Sequence, residues 1–272
     1  MYQLYQNRYS NYLTLNLINV RYATNNTIID KDFAIQLKAD FPNEANDLIT
    51  FKLYLFLSVL LGQNEANNDT VVFDTNTFKN ILKIGKKSDV IKSLDYLKAI
   101  TYKYNHYIGK DKLGVWKLEV IQCNIIDDYT TTKGYIKVKF NRGYMKLLEH
   151  NIKTCKSKQF VELSNKFFTL DIKKYRYSVF LAFYINLNKK RNYGKARQNI
   201  ISVKELVKYC PQLPTYEELG EQKQVSRRII EPFKANMNYL EQELGFKWEY
   251  ANTEVKNYLS FMSNKIIFDF NQ

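Results

Sequence analysis

The sequence predicts an α+β protein made of two tandem winged helix-turn-helix domains in a pseudo-twofold arrangement, residues 1–155 and 156–272. Three observations carry that expectation. Each half shows one order of elements: an apolar helix, a short strand, a helix opened by a capping side chain, a longer helix, then a hairpin. The net charge of +14 is gathered into blocks along the chain. Nine Gly and four Pro in 272 residues leave little material for a long linker, so the domains follow each other directly.

In the first half, residues 11–20 (Asn-Tyr-Leu-Thr-Leu-Asn-Leu-Ile-Asn-Val) alternate apolar and polar side chains and predict a strand. A helix is expected to start near Pro42 and run through Leu48, Phe51, Leu53, Tyr54, Phe56, Leu57 and Leu60 to Gly62. Apolar on nearly every face, it belongs in a core. Val71–Phe73 is a short strand, and Asp74 or Thr75 can cap a second helix bearing Phe78, Ile81 and Leu82. Gly85-Lys86-Lys87 makes a turn, and Ser88 is expected to cap a third helix with Val90, Ile91, Leu94 and Leu97 inside. Extended runs follow at 101–108, 115–126 and 134–140. The first two are joined by the turn 109–114 and form the expected wing. A helix from Tyr144 to His150 closes this half.

In the second half, Asp171 is expected to cap an apolar helix that carries Tyr175, Val179, Phe180, Leu181, Phe183, Ile185 and Leu187. A basic loop runs from Lys189 to Arg197, Ile200-Ile201 is a short strand, and Ser202 caps a helix from Val203 to Tyr209. After the break at Cys210-Pro211, helical residues extend from Tyr216 to Leu244, with Pro232 starting or kinking a helix. Residues 246–250 and 265–270 are the second pair of wing strands.

Charge then points to the partner. Residues 1–70 hold five basic and seven acidic side chains, whereas 79–117 hold ten and three, 133–158 eight and one, and 173–208 ten and one. The last segment, 209–272, returns to seven and nine. Blocks of this kind suit a line of phosphates, because each Lys or Arg placed on the backbone releases condensed counterions. The expected partner is double-stranded DNA. A winged helix-turn-helix presents the start of its third helix to the major groove and its wing to the neighbouring groove or backbone. That selects Lys86, Lys87, Ser88 and Lys92 on the first recognition helix, Lys110 and Lys112 at the wing tip, and Lys103 on the strand beside it. In the second half it selects Gln224, Ser226, Arg227, Arg228 and Lys234, since Arg suits guanine and Gln suits adenine. Arg227 and Arg228 could instead pair with Glu231, Glu217, Glu218 or Glu221 at helical spacing. Lys189, Lys190, Arg191, Lys195 and Arg197 are expected to ride on phosphates, adding affinity but little sequence choice.

Other chemistries lack their residues. His106 and His150 are unpaired in sequence, no GxxxxGK[ST] loop is present, and Cys123, Cys155 and Cys210 have no metal-ligand spacing. Glu221-Gln222-Lys223 and Glu254-Val255-Lys256 have a nuclease-like Glu-x-Lys form without a strand-borne Asp partner. The expectation is a binding protein with no catalytic residues, no metal and no cofactor. With no signal-like start and no apolar run of bilayer length, it is expected to be cytoplasmic and free of the membrane.

Over residues 45–270 the chain resembles the tandem winged-helix replication initiators of bacterial plasmids and some phages. The resemblance is architectural, and its local text is Phe167-Phe168-Thr169-Leu170-Asp171, Leu213-Pro214-Thr215-Tyr216-Glu217-Glu218, Arg227-Arg228-Ile229-Ile230-Glu231-Pro232-Phe233 and Trp248-Glu249-Tyr250. It implies that one winged helix mediates homodimerisation as well as DNA contact. The other would bind repeated origin sequences, and the pair would recruit host replication proteins. A transcriptional or partition regulator, or a relaxosome accessory protein, on the same fold is the alternative.

Overall fold

Helix α1, Asp47–Gln63, is buried without interruption from Ile49 to Val59, as an apolar surface on every face requires. Its start is fixed by Asn46, whose side-chain oxygen accepts from the N–H groups of Leu48 (3.0 Å) and Ile49 (3.2 Å). The one charge at its centre, Lys52, is buried and donates from Nζ to the Leu82 carbonyl at 2.8 Å.

The computed structural model describes residues 2–5, 13–30, 33–38, 46–63, 68–146, 160–208, 210, 213–219, 222–252, 255 and 257–270. Pro42, His150, Cys155, Tyr209, Pro211, Glu221 and Glu254 lie outside them, as do the side chains of Phe78, His106, Gln222 and Lys223. Two compact units are present, Gln3–Phe160 and Val161–Gln272, the latter with Met1–Tyr2. Both are mixed α/β with antiparallel sheets.

Among the strands of the N-terminal unit are β1 (Thr27–Asp30), β2 (Phe33–Leu37), β3 (Thr70–Asp74), β4 (Ile100–Lys110), β5 (Trp116–Asn124), β6 (Ile126–Thr131) and β7 (Tyr135–Phe140). They form two sheets, β1-β2-β4-β5 and β3-β7-β6. Helix α2 spans Thr75–Ile81 and α3 spans Lys87–Ala99. The Asp74 carboxylate accepts from the Asn76 N–H and so caps α2. Val90, Leu94 and Leu97 of α3 are fully buried, as the 3.6-residue spacing predicts.

Two expectations for this unit fail. Residues 13–16 are helical and Asn19–Tyr22 is a 3-10 turn, where alternation predicted a strand. Leu13, Leu17 and Val20 also lie at i, i+4 and i+7, and those are the positions the core buries completely. The alternation was a coincidence of spacing. The second concerns the hairpin. The residues that follow α3 join β2, while the hairpin that pairs with β3 comes one later, β6–β7. The β7 pattern is decisive: Ile136, Val138 and Phe140 are buried beside Val71 and Phe73, and Tyr135, Lys137 and Lys139 face outward.

The C-terminal unit contains α4 (Ser178–Arg191), β8 (Ile200–Ser202), α5 (Val203–Lys208), α6 (Tyr216–Leu219) and a longer helix α7. α7 runs as Gln222–Val225, a π-turn Ser226–Ile230, and Glu231–Leu244. Strand β9 (Lys247–Tyr250), helix α8 (Tyr258–Ser263) and strand β10 (Lys265–Asp269) complete it, in the sheet order β8-β10-β9. This is the order of β3-β7-β6: in both units the strand between the first two helices pairs with the last strand of the hairpin. Asp171 does not cap α4. Its carboxylate accepts from Lys173 and Lys174 N–H groups and closes a separate turn at 172–174, so α4 begins only at Ser178. Ser202 does cap α5, accepting from the Glu205 N–H at 3.2 Å.

Burial sets the behaviour of the N-terminal core at high pH. Desolvation, with Asp127 nearby, pushes the Cys123 thiol from an ordinary value of 9.0 up to about 12. Desolvation also raises the phenols of Tyr54 and Tyr144, which share a hydrogen bond at 3.2 Å. The folded state holds these protons after the unfolded chain has lost them. Their contribution is complete below the ordinary thiol value and drains away as pH rises through the folded one. The urea midpoint of the transition that unfolds the N-terminal unit is therefore expected to fall steadily above pH of about 9. A midpoint that stays level into the range of the folded thiol would mean that these groups are hydrated.

Candidate nucleic-acid interface

The start of α3 is shaped by charge and by the hairpin beside it. Lys86 is the N-cap, in an extended conformation, and makes no side-chain cap. Ser88 was the expected cap, but it lies inside the first turn and is exposed, because the helix begins one residue earlier at Lys87. Lys86, Ser88 and Lys92 are exposed. Lys87 is half-buried and donates from Nζ to the Thr132 carbonyl at 2.6 Å. That bond ties the helix start to the tip of the β6–β7 hairpin. A second pair fixes the same arrangement further along, with the Tyr129 hydroxyl donating to Asp95 at 2.6 Å. Thr75 of α2 also reaches the tip, its N–H donating to Gly134 O at 2.9 Å.

Three exposed lysines, Lys133 at this tip and Lys137 and Lys139 on β7, belong in sequence to the basic block 133–158 and are absent from the expected contact residues. The signal was present: Thr131-Thr132-Lys133-Gly134 is a turn between two alternating runs. Lys103, Lys110 and Lys112 are also exposed, but the structure puts them on the other sheet, with β4 paired to β2 and β5. They share no strand pairing with the β3-β7-β6 sheet.

In the C-terminal unit the predicted residues fall into two groups. Gln224, Ser226, Arg227 and Arg228 are exposed at the start of α7, and Lys234 is half-buried with its ammonium 5.5 Å from the Tyr250 ring centre. The π-turn there has a cause. Pro232 lacks an N–H and its ring would meet the carbonyl four residues back, so the preceding turn widens and the Glu231 N–H bonds to Ser226 O. Two of the acidic residues that could neutralise the arginines are otherwise engaged. Glu231 accepts from the Ser226 hydroxyl at 3.3 Å, and Glu218 accepts from the Thr215 N–H at 2.9 Å in a capping box. Among the described residues, neither Arg227 nor Arg228 forms an ion pair.

The second group sits at the other end of α7. Lys189, Lys190 and Arg191 occupy the last turn of α4, where the helix dipole favours cations. Lys195 and Arg197 follow, both exposed. Lys189 lies 4.3 Å from the Phe270 ring centre and, with Lys190 and Tyr193, lines a cleft of about 640 Å³ next to Leu244, Gly245 and Phe246. Gln224 and Leu244 are separated by about 30 Å of helix at the standard rise. The two groups are thus distinct surfaces of one unit.

Among the described residues no three His, Cys, Asp or Glu side chains gather where they could hold a metal ion. Cys123 and Cys210 are buried, and desolvation raises both thiols. No described helix is long and apolar enough to cross a membrane.

No protein-family model matches the chain, and no curated protein does. Solved structures do match. The crystal structure of domains 2 and 3 of RctB is 8% identical, with 89% of each chain covered and a TM-score of 0.51. The Pi initiator protein in complex with iteron DNA is 15% identical, covering 89% of this chain and 97% of that one, with a TM-score of 0.48. The likeness to the RctB domains is one of fold.

Proposed function

We propose that the chain is a sequence-specific double-stranded DNA-binding replication initiator, built of two winged helix-turn-helix modules and acting without catalysis or cofactor. One observation supports this above the others. The same three-strand sheet order occurs in both units, with β3 after α1 paired to β7 and β8 after α4 paired to β10, and cationic side chains are exposed near the start of α3 in one unit and of α7 in the other. In this reading α3 and α7 are recognition helices, and β6–β7 and β9–β10 are wings. Lys86, Ser88 and Lys92 serve the first module, with Lys133 on its wing. Gln224, Arg227 and Arg228 read bases for the second. Repeated origin sites, a homodimeric form and recruitment of host replication proteins in the cytoplasm belong to the same proposal.

Selection of bound duplexes from a random pool tests it. Repeated direct sites are the expected result, whereas a single palindrome would identify a regulator and no enrichment would remove sequence-specific binding altogether. A finer result is expected on any duplex. Lys86→Ala and Lys195→Ala each flatten the dependence of log K on log salt by about 0.9, the share of one phosphate contact. Lys87→Ala acts differently, because its ammonium holds the Thr132 carbonyl, and it loosens the hairpin tip instead. A slope unchanged by one of the first two substitutions takes that residue out of the interface.

A further inference from the structure

The β4–β5 hairpin is longer than its sheet needs. β2 pairs with β4 only from Ile100 to Tyr104, while β4 and β5 stay paired from Thr101–Asn124 out to Lys110–Trp116. Beyond Tyr104, among the described residues, the hairpin continues as a two-stranded ribbon, six residues long on the β4 side and so about 20 Å in reach. Its tip is rigid. The Asp111 carboxylate accepts from the N–H groups of Leu113 and Val115, both at 2.9 Å, and Asp111 N–H donates to Val115 O at 2.8 Å. Gly114, at φ +78°, takes the left-handed position that closes the turn.

This fixed tip presents apolar groups to water. Leu113 is 88% exposed and Val115 is 61% exposed. Lys110, Lys112 and Lys117 surround them, all exposed, and the one acidic group at the tip is spent on backbone N–H groups. A single exposed Leu would mean little. Two adjacent apolar side chains on a locked turn, at the end of a ribbon and between three cations, form a wedge with flanking phosphate contacts. A two-stranded ribbon fits a DNA groove, and apolar wedges there unstack a base step while nearby Lys or Arg side chains hold the backbone.

We propose that the β4–β5 ribbon enters a groove of duplex DNA and inserts Leu113, with Val115 beside it, at a base step, kinking the duplex. The proposal rests on the DNA-binding reading above and adds a deformation to it. Lys110, Lys112 and Lys117 grip the phosphates on either side of the step.

The test uses the full chain and duplexes recovered by it from a random pool, carrying a donor and an acceptor fluorophore at their ends and 2-aminopurine within. Wild-type protein is expected to raise energy transfer and 2-aminopurine emission. Leu113→Ser, a surface change that spares the core, is expected to lose both signals on duplex held saturated with protein. Leu113→Met keeps them. Bending by Leu113→Ser equal to wild type, or binding by wild type with no bending, overturns the wedge but leaves DNA binding intact. Failure to recover any duplex overturns the DNA reading itself, and the wedge with it. Sedimentation with phosphatidylcholine–phosphatidylserine vesicles that depends on Leu113, together with unchanged DNA bending, assigns the tip to a lipid surface and also overturns the wedge.

Discussion

Arg21→Ala is expected to lower the stability of the N-terminal unit by about 3–5 kcal/mol, the usual cost of removing one member of a buried ion pair. Arg21 and Asp47 meet at 2.5 Å with side chains only 6% and 2% exposed. The guanidinium also lies 4.6 Å from the Tyr96 ring centre, and the Tyr96 hydroxyl donates to Leu17 O at 2.7 Å. One cation therefore fastens the segment 13–22 to the start of α1 and to α3. Without it the Asp47 carboxylate stays buried, and the positive end of α1 offsets that charge only in part, by about 0.3–1 kcal/mol. Arg21→Met with Asp47→Asn should restore most of the loss, because both buried charges of the pair are then removed together. Hydrogen exchange of the α1 amides reads the effect in this unit alone, which a single urea transition of a two-unit chain does not. A loss for Arg21→Ala under about 1 kcal/mol would show that water reaches the pair.

The second large effect is on recognition. Arg227→Ala and Arg228→Ala are each expected to cost about 1–3 kcal/mol on the selected duplex and much less on random duplex. Both guanidinium groups are exposed and lack an ion-pair partner among the described residues, so removing either leaves the folded chain little changed. The π-turn that Pro232 imposes sets the direction in which they project. Competition between specific and random duplex at one salt concentration measures the difference. If both variants keep the wild-type ratio, base reading lies elsewhere, and the exposed start of α3 is the next place to look.

Much of the helical framework was legible because burial imposes a period. α1 and α4 show apolar residues on every face, and α3 shows them at helical spacing; each of the three is buried where that pattern says. Asn46 and Ser202 cap helices as side chains of their kind do, yet Ser88 and Asp171 do not. A capping residue marks a turn with N–H groups to satisfy, and several such turns can lie within a few residues of the same helix start. Leu13–Val20 misled for a related reason, since its apolar residues satisfy both the period of two and the period of 3.6, and only packing against α1 and α3 selects between them.

Strand pairing was the larger gap. Residues 101–108 and 115–126 read as a hairpin and 134–140 as a further extended run, and nothing local says which of them joins the strand at 70–74. The choice depends on contacts distant in sequence, Val71 and Phe73 on Val138 and Ile136, together with the demand of β2 for a partner. Composition and periodicity sufficed for the apolar helices and the basic blocks, because each is a property of neighbouring residues. Which lysines share a surface was settled by the fold. It moved Lys103, Lys110 and Lys112 to a separate sheet and its hairpin, turned Lys87 into a tie to the hairpin tip, and brought Lys133 beside α3. Charge is carried by each residue alone, but a binding face exists only once distant strands have paired.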